Sequence, residues 1–287
     1  MPLASLLQVA AMVFVATSLV VFGDTAGKLL TGGGASPVFV AWSRFALGTV
    51  LLLPFSGLKR AELVHFLDWK VVLRALFIVG GICCILTALR TEPIADVFGA
   101  FFIGPVVSYL LAVVFLGERI SPLRTVLLLL GFAGVMLVVK PGFGATPGIA
   151  LALLAGCFYG AYLTMTRAVA GHYRPRFLLV SQLIIGAAVL TPLGATATWS
   201  EAGWPAAGLV LLSALGSAAG NYILVFANRI ASATVIAPLI YSQLIAATAV
   251  GVLVFGDWPD AVALTGLCVI AASGFGTLLA VRQAVRR

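Results

Sequence analysis

Residues 104–122 read GPVVSYLLAVVFLGERISP. An apolar run closes on Gly117-Glu118-Arg119, and Pro122 opens the next one. The run is continuous, as are Val71–Leu89 and Val126–Val139, and none shows the period-2 alternation of a barrel strand, so each reads as a helix. Shifting the chain by 139 positions lays Gly117 on Gly256, Glu118 on Asp257, Ala88 on Ala227 and Arg90 on Arg229. A shift of 138 lays Pro37 on Pro175 and Pro54 on Pro192. The spacing predicts two homologous halves, 1–141 and 142–287, with one residue gained or lost between blocks.

Composition says what solvent these helices meet. With 62% hydrophobic and 9% charged residues and a mean hydropathy of +1.17, the 287-residue chain cannot clothe itself for water. Cutting at charges and Gly/Pro clusters predicts ten spans, at 5–30, 37–56, 71–89, 94–116, 122–140, 147–169, 177–198, 205–228, 233–255 and 260–281. The first run is longer than a signal-peptide core and lacks a basic leader, so it reads as a retained span. Ser56–Lys70 reads as an interfacial segment.

The net charge of +8 comes from cations scattered between the runs, which fits membrane-surface loops and lipid headgroups rather than nucleic acid. Loops on the side of the termini hold 13 Lys or Arg residues, Arg74, Arg124 and Arg167 among them, against three (Lys28, Arg90, Lys140) on the other side. Both termini are expected in the cytoplasm of a bacterial-type inner membrane. Five spans per half then force the second copy to enter from the opposite side. Inverted repeats of this kind characterise secondary transporters, with a substrate site between the halves.

On these residues the chain resembles the drug/metabolite transporter superfamily, in particular its ten-helix EamA-type members. In those, an apolar helix with a proline, here Gly104-Pro105, ends in Gly-Glu before the next helix. Within the superfamily, Phe158-Tyr159-Gly160-Ala161-Tyr162 is similar to the sixth helix of amino-acid exporters of the YddG type. That likeness implies a cavity lined by aromatic side chains at Tyr159, Phe102 and Tyr241. It implies export of small metabolites, amino acids foremost, by alternating access, with another small organic metabolite as the alternative cargo. A monomer is compatible with the pattern.

The residues add their own candidates. Cys84, Tyr162, Asn221, Tyr222, Ser242 and Gln243 join the three aromatics as neutral cavity-lining positions. Helix packing is the competing role for each. Gly80, Gly81, Pro105 and Pro238 offer hinges, because proline withholds a backbone donor. Asp24 in span one and Arg44 in span two can meet at similar depth, as a structural ion pair or as a gating or coupling pair, with Lys28 a competing partner for Asp24. Asp96 is a third coupling candidate, against a solvated loop cluster. Glu118 and Asp257 read as acids at helix termini.

Rival classes lack their residues. Nine acids and two histidines, without HExxH or a glycine-rich phosphate loop, do not make an enzyme site, a metal site or a cofactor site. Cys83, Cys84, Cys157 and Cys268 sit inside apolar runs as small hydrophobes. Nothing supplies the repeated ring of carbonyls or charges a channel needs.

Overall fold

A computed structural model describes residues 3–92, 94–140, 146–197, 204–256 and 258–286. Among the described residues the bundle has ten apolar helices: α1 Leu3–Gly32, α2 Pro37–Leu52, α3 Trp69–Thr91, α4 (α4a Ile94–Phe101, α4b Gly104–Leu116), α5 Pro122–Val139, α6 Pro147–Ala170, α7 Pro175–Gly194, α8 Trp204–Ile230, α9 (α9a Ala233–Ile240, α9b Gln243–Val250) and α10 Ala261–Arg286. Nine of these are long and apolar enough to span a membrane on length and composition alone. The tenth, α2, rises only about 24 Å and ends at Leu52, four residues short of the expected span.

Local chemistry explains most starts and stops. Ser36 caps α2 by accepting from the Phe39 amide at 3.1 Å, Asp68 caps α3 through the Lys70 amide at 2.8 Å, and Thr146 caps α6 through the Ile149 amide at 3.2 Å. Proline at the first turn of α2, α5, α6 and α7 loses no helical hydrogen bond. The glycines that anchor the sequence repeat terminate equivalent helices: Gly117 ends α4b at φ 64° and Gly256 follows a π-helical turn, Gly251–Phe255, at φ 74°. Both sit in the left-handed region where a side chain is strained, and this is why the motif survives in both halves.

The halves interleave. α1 packs on α8, α3 on α6, α2 on α7 and α5 on α10, each pair crossing from one half to the other. Helices in lipid gain nothing from hiding apolar side chains from a hydrocarbon solvent, so close backbone approach replaces it. Gly216 and Gly220 of α8 face the backbone of α1, and a Cβ on Gly216 would lie 2.7 Å from the Leu19 carbonyl oxygen. Gly208, on the same helix, meets nothing within 4 Å. Gly216→Ala is expected to lower stability in detergent by about 1–3 kcal/mol through overpacking, and Gly208→Ala to leave it unchanged or slightly raised. Thermal unfolding of the two variants reads the difference.

The expected interfacial segment contains a short 3-10 helix, Arg60–Leu67, whose Leu63, Val64 and Leu67 are exposed beside Trp69. It is fastened to the start of α7: Arg174 Nε donates to Glu62 at 2.7 Å, and the Tyr173 hydroxyl donates to Asp68. The Arg174 guanidinium holds the Glu62 carboxyl below its ordinary range, and Asp68 pushes the Tyr173 hydroxyl up to about 12. A carboxylate with a depressed folded-state pKa stabilises above its unfolded value and loses that contribution as pH falls through the folded one. Acid should therefore loosen this segment, and Glu62→Gln should flatten that acid limb in melting curves taken against pH.

Candidate functional site

Arg44 is 3% exposed in the middle of α2. Its Nη1 donates to Asp24 Oδ1 at 2.7 Å, Nε to Ser213 Oγ at 2.7 Å and Nη2 to the Gly23 carbonyl at 3.0 Å. Spans one and two do bring Asp24 and Arg44 together, and α8 completes the cluster. Lys28, the expected competitor for Asp24, lies with its ammonium 4.0 Å from the centre of the Phe255 ring.

Asp24 lines two cavities. The larger, about 440 Å³, is lined by Asp24, Lys28, Phe98, Leu244, Phe255 and Trp258, among others. It reaches the surface opposite the termini beside the exposed Lys140–Asp260 ion pair. The smaller, about 40 Å³, lies deeper, lined by Asp24, Arg44, Gly81, Phe101, Tyr159, Ser217, Asn221 and Gln243 with apolar neighbours. The Tyr159 hydroxyl, Asn221 Oδ1 and Gln243 Oε1 are buried without a hydrogen-bond partner among the described residues. Buried polar atoms are nearly always satisfied, so three around one cavity are unusual.

The breaks in α4 and α9 create this place. Residues 102–103 and 241–242, related by the 139 shift, interrupt the two helices at one level. Pro105 sits in the first turn of α4b, whereas Pro238 lies inside α9a, so the second break forms without a proline at the equivalent position. Phe102 and Tyr241, equivalent by the repeat, meet with ring centroids 6.1 Å apart, and Phe101 packs on Tyr159 at 5.2 Å. Phe102 and Tyr241 are fully buried and outside both cavity linings, and so form the packed layer behind the site.

Other expected positions fall elsewhere. Tyr162 does not line either cavity, since its hydroxyl accepts from Arg74 Nη2 at 3.0 Å and donates to Gln182 Oε1 at 3.1 Å. Tyr222 lines a separate crevice with Leu52, Phe55 and Arg176. Cys84 is half-buried outside both linings, and Ser242 is half-buried at the α9 break. Helix α3 passes unbroken through Gly80 and Gly81, and Gly80 makes room for the Phe158 ring. Asp96 is half-buried in the first turn of α4a. Asp257 lies outside the described residues.

Two charges behave differently from their sequence reading. Glu118 is a helix-terminus acid, but the terminus belongs to α9a rather than to α5, which follows it in sequence. Its two oxygens accept from the Ala233 and Thr234 amides at 2.9 Å each, and Arg167 stands 3.4 Å away. Arg167 in turn donates to the Asn228 carbonyl at 2.6 Å, so this cluster ties both halves together at the face of the termini. Arg74, counted among loop cations, is 0% exposed inside α3. Its Nε donates to Thr166 Oγ1 at 2.9 Å and its Nη1 to the Leu178 carbonyl at 2.9 Å, and among the described residues it has no carboxylate partner.

The repeat relates the two buried arginines. Shifts of 138 and 139 carry Asp24, Arg44 and Ser213 onto Tyr162, Gln182 and Arg74. Each half-turn of the pseudo-symmetry thus holds one polar cluster built on one arginine, taken from α2 in one case and α3 in the other. The first borders the cavities and the second is sealed.

Comparison with known proteins agrees with the architecture. The model of the EamA-like transporter family matches residues 3–140 and again 146–279. A riboflavin transporter of Rhizobium johnstonii is 26% identical over 252 residues, 86% of this chain and 82% of that protein. An S-adenosylmethionine uptake transporter of Rickettsia felis is 27% identical over 259 residues, 86% and 85% of the two chains. A solved crystal structure with 18% identity superposes with a TM-score of 0.76, covering 96% of this chain and 98% of its own, a likeness of fold.

Proposed function

Since this chain belongs to the EamA-like transporter family, it is a multi-pass transporter of small metabolites, and we propose that it carries amino-bearing metabolites, amino acids foremost, out of the cytoplasm by alternating access. The observation that carries this reading is the pair of cavities that Asp24 borders. One has the size of a ligand site and an aromatic, apolar wall, and the other places a carboxylate beside three unpartnered polar atoms. The excess of basic residues on the side of the termini supports cytoplasmic termini in an inner membrane. In that orientation the vestibule faces outward, while Glu118, Arg167 and the α9a terminus hold the cytoplasmic face shut.

Rocking of the halves about the broken helices would exchange these two faces. Such a carrier has no nucleotide-driven step, so net flux follows a substrate or ion gradient. A second reading, uptake of a larger heterocyclic metabolite, is favoured by the relatives named for riboflavin and S-adenosylmethionine and by the volume of the vestibule.

The test is reconstitution into liposomes with labelled amino acids, riboflavin and S-adenosylmethionine, with and without a pH gradient. Saturable counterflow of amino acids is expected. Saturable flux of riboflavin alone would replace the cargo and keep the carrier, a flux linear in concentration points to a channel, and no flux of any metabolite ends the carrier reading.

A further inference from the structure

We propose that the deep cavity is a head-group subsite for a protonated primary amine, with the body of the substrate held in the adjoining vestibule. The inference rests on the carrier reading above and names which end of the cargo enters first.

Size sets the division of labour. A cavity of about 40 Å³ admits a group of one to three heavy atoms, comparable with a water molecule, while about 440 Å³ takes a small organic body. The two spaces share Asp24, so a molecule lying in the vestibule brings its leading group to that carboxylate.

Donor and acceptor chemistry then selects the group. Asn221 Nδ2 donates to the Ser217 carbonyl at 2.8 Å, which orients the amide and leaves Oδ1 as the unpartnered atom. Gln243 Oε1 is likewise an unpartnered acceptor, and both side chains are more than nine-tenths buried, at 4% and 2% exposure. Together with Asp24 they put three acceptor-bearing side chains around one small space. The Arg44 guanidinium is already turned to Asp24, Ser213 and the Gly23 carbonyl. An ammonium supplies three N–H donors and one positive charge, matching this inventory. A carboxylate offers only acceptors and sets a second negative charge beside Asp24, and the donors it would meet, the Tyr159 and Ser217 hydroxyls and the Gln243 amide, are neutral and do not offset that charge.

The probes are L-phenylalanine, phenethylamine and 3-phenylpropanoate, which share a ring and carry both charged groups, the ammonium alone and the carboxylate alone. Calorimetric titration of the purified full-length protein is expected to give binding of the first two and none of the third. Asn221→Leu and Gln243→Leu should each weaken phenethylamine by about tenfold to a hundredfold, the loss of one hydrogen bond to a charged group. Their melting temperatures should hold or rise, since a buried atom without a partner has been replaced by an apolar one. A packing role predicts the reverse, lower melting temperature with affinity intact.

Binding of 3-phenylpropanoate as tightly as the amines, unchanged affinity in both variants, or failure of either amine to bind overturns the inference. The same three compounds in the liposome assay separate the two levels. Flux of another metabolite without amine binding sinks the subsite and leaves the carrier standing, whereas a protein that moves nothing loses both.

Discussion

Asp24→Leu is expected to abolish transport and to destabilise the protein by on the order of 3 kcal/mol. The single change leaves the Arg44 guanidinium, 3% exposed in the middle of α2, without its carboxylate. The Ser213 hydroxyl and the Gly23 carbonyl remain as its partners, and neither neutralises the charge. The cost falls at the low end for a broken buried pair because the Asp24 side chain keeps 18% exposure to the cavities. Removing both partners, as Asp24→Leu with Arg44→Leu, should recover most of the lost melting temperature, since two apolar side chains replace an ion pair that was costly to desolvate. Transport should stay absent in the double variant. Unfolding midpoints in detergent and liposome flux, taken on all three variants, divide stability from function: recovery of both would make the pair purely structural, and normal flux in the single variant would remove Asp24 from the mechanism.

Arg74→Lys should damage the protein more than Arg74→Met, although lysine keeps the charge. The guanidinium fork ties α3 to two further helices, α6 through Thr166 and Tyr162 and α7 through the Leu178 carbonyl, and its Cζ lies 4.9 Å from the centre of the Tyr162 ring. An ammonium is a compact point charge that cannot address these divergent acceptors and is harder to dehydrate. It would stay buried with at most part of its hydrogen bonds made, a cost on the order of 3 kcal/mol. Methionine fills similar volume without a charge, leaving Tyr162 still bonded to Gln182. Melting temperatures in the order wild type, Met, Lys would support this account, and Lys above Met would refute it.

Much of the fold was readable because a bilayer makes harsh demands on sequence. Each span must be apolar for about 20 residues and satisfy its own backbone, so runs such as 122–139 announce themselves. Gly117 and Gly256 were readable as a repeat because a left-handed helix end strongly favours glycine, although Lys140 ends α5 in the same conformation. The Asp24–Arg44 contact followed from depth alone, since charges inside spans are rare and need each other. Arg74 was not legible. Four residues after the interfacial Lys70 it looks like any loop cation, and only the packing of α6 and α7 over it reveals its burial. Glu118 shows the same limit, because capping an adjacent helix and capping a distant one leave the same mark in the sequence.

By itself, then, the sequence determined the apolar spans and their repeat as two inverted halves, because hydrophobic length and glycine strain act residue by residue. The tertiary structure alone decided which polar atoms go unpartnered around one cavity. It also decided that Tyr162 bonds to Arg74 and lines neither cavity, and that Asp24 borders both a small deep space and a large open one. Those outcomes depend on which faces of α1, α3, α4, α6, α8 and α9 converge. That convergence is set by close packing between the halves, where a single glycine admits or excludes a neighbouring backbone.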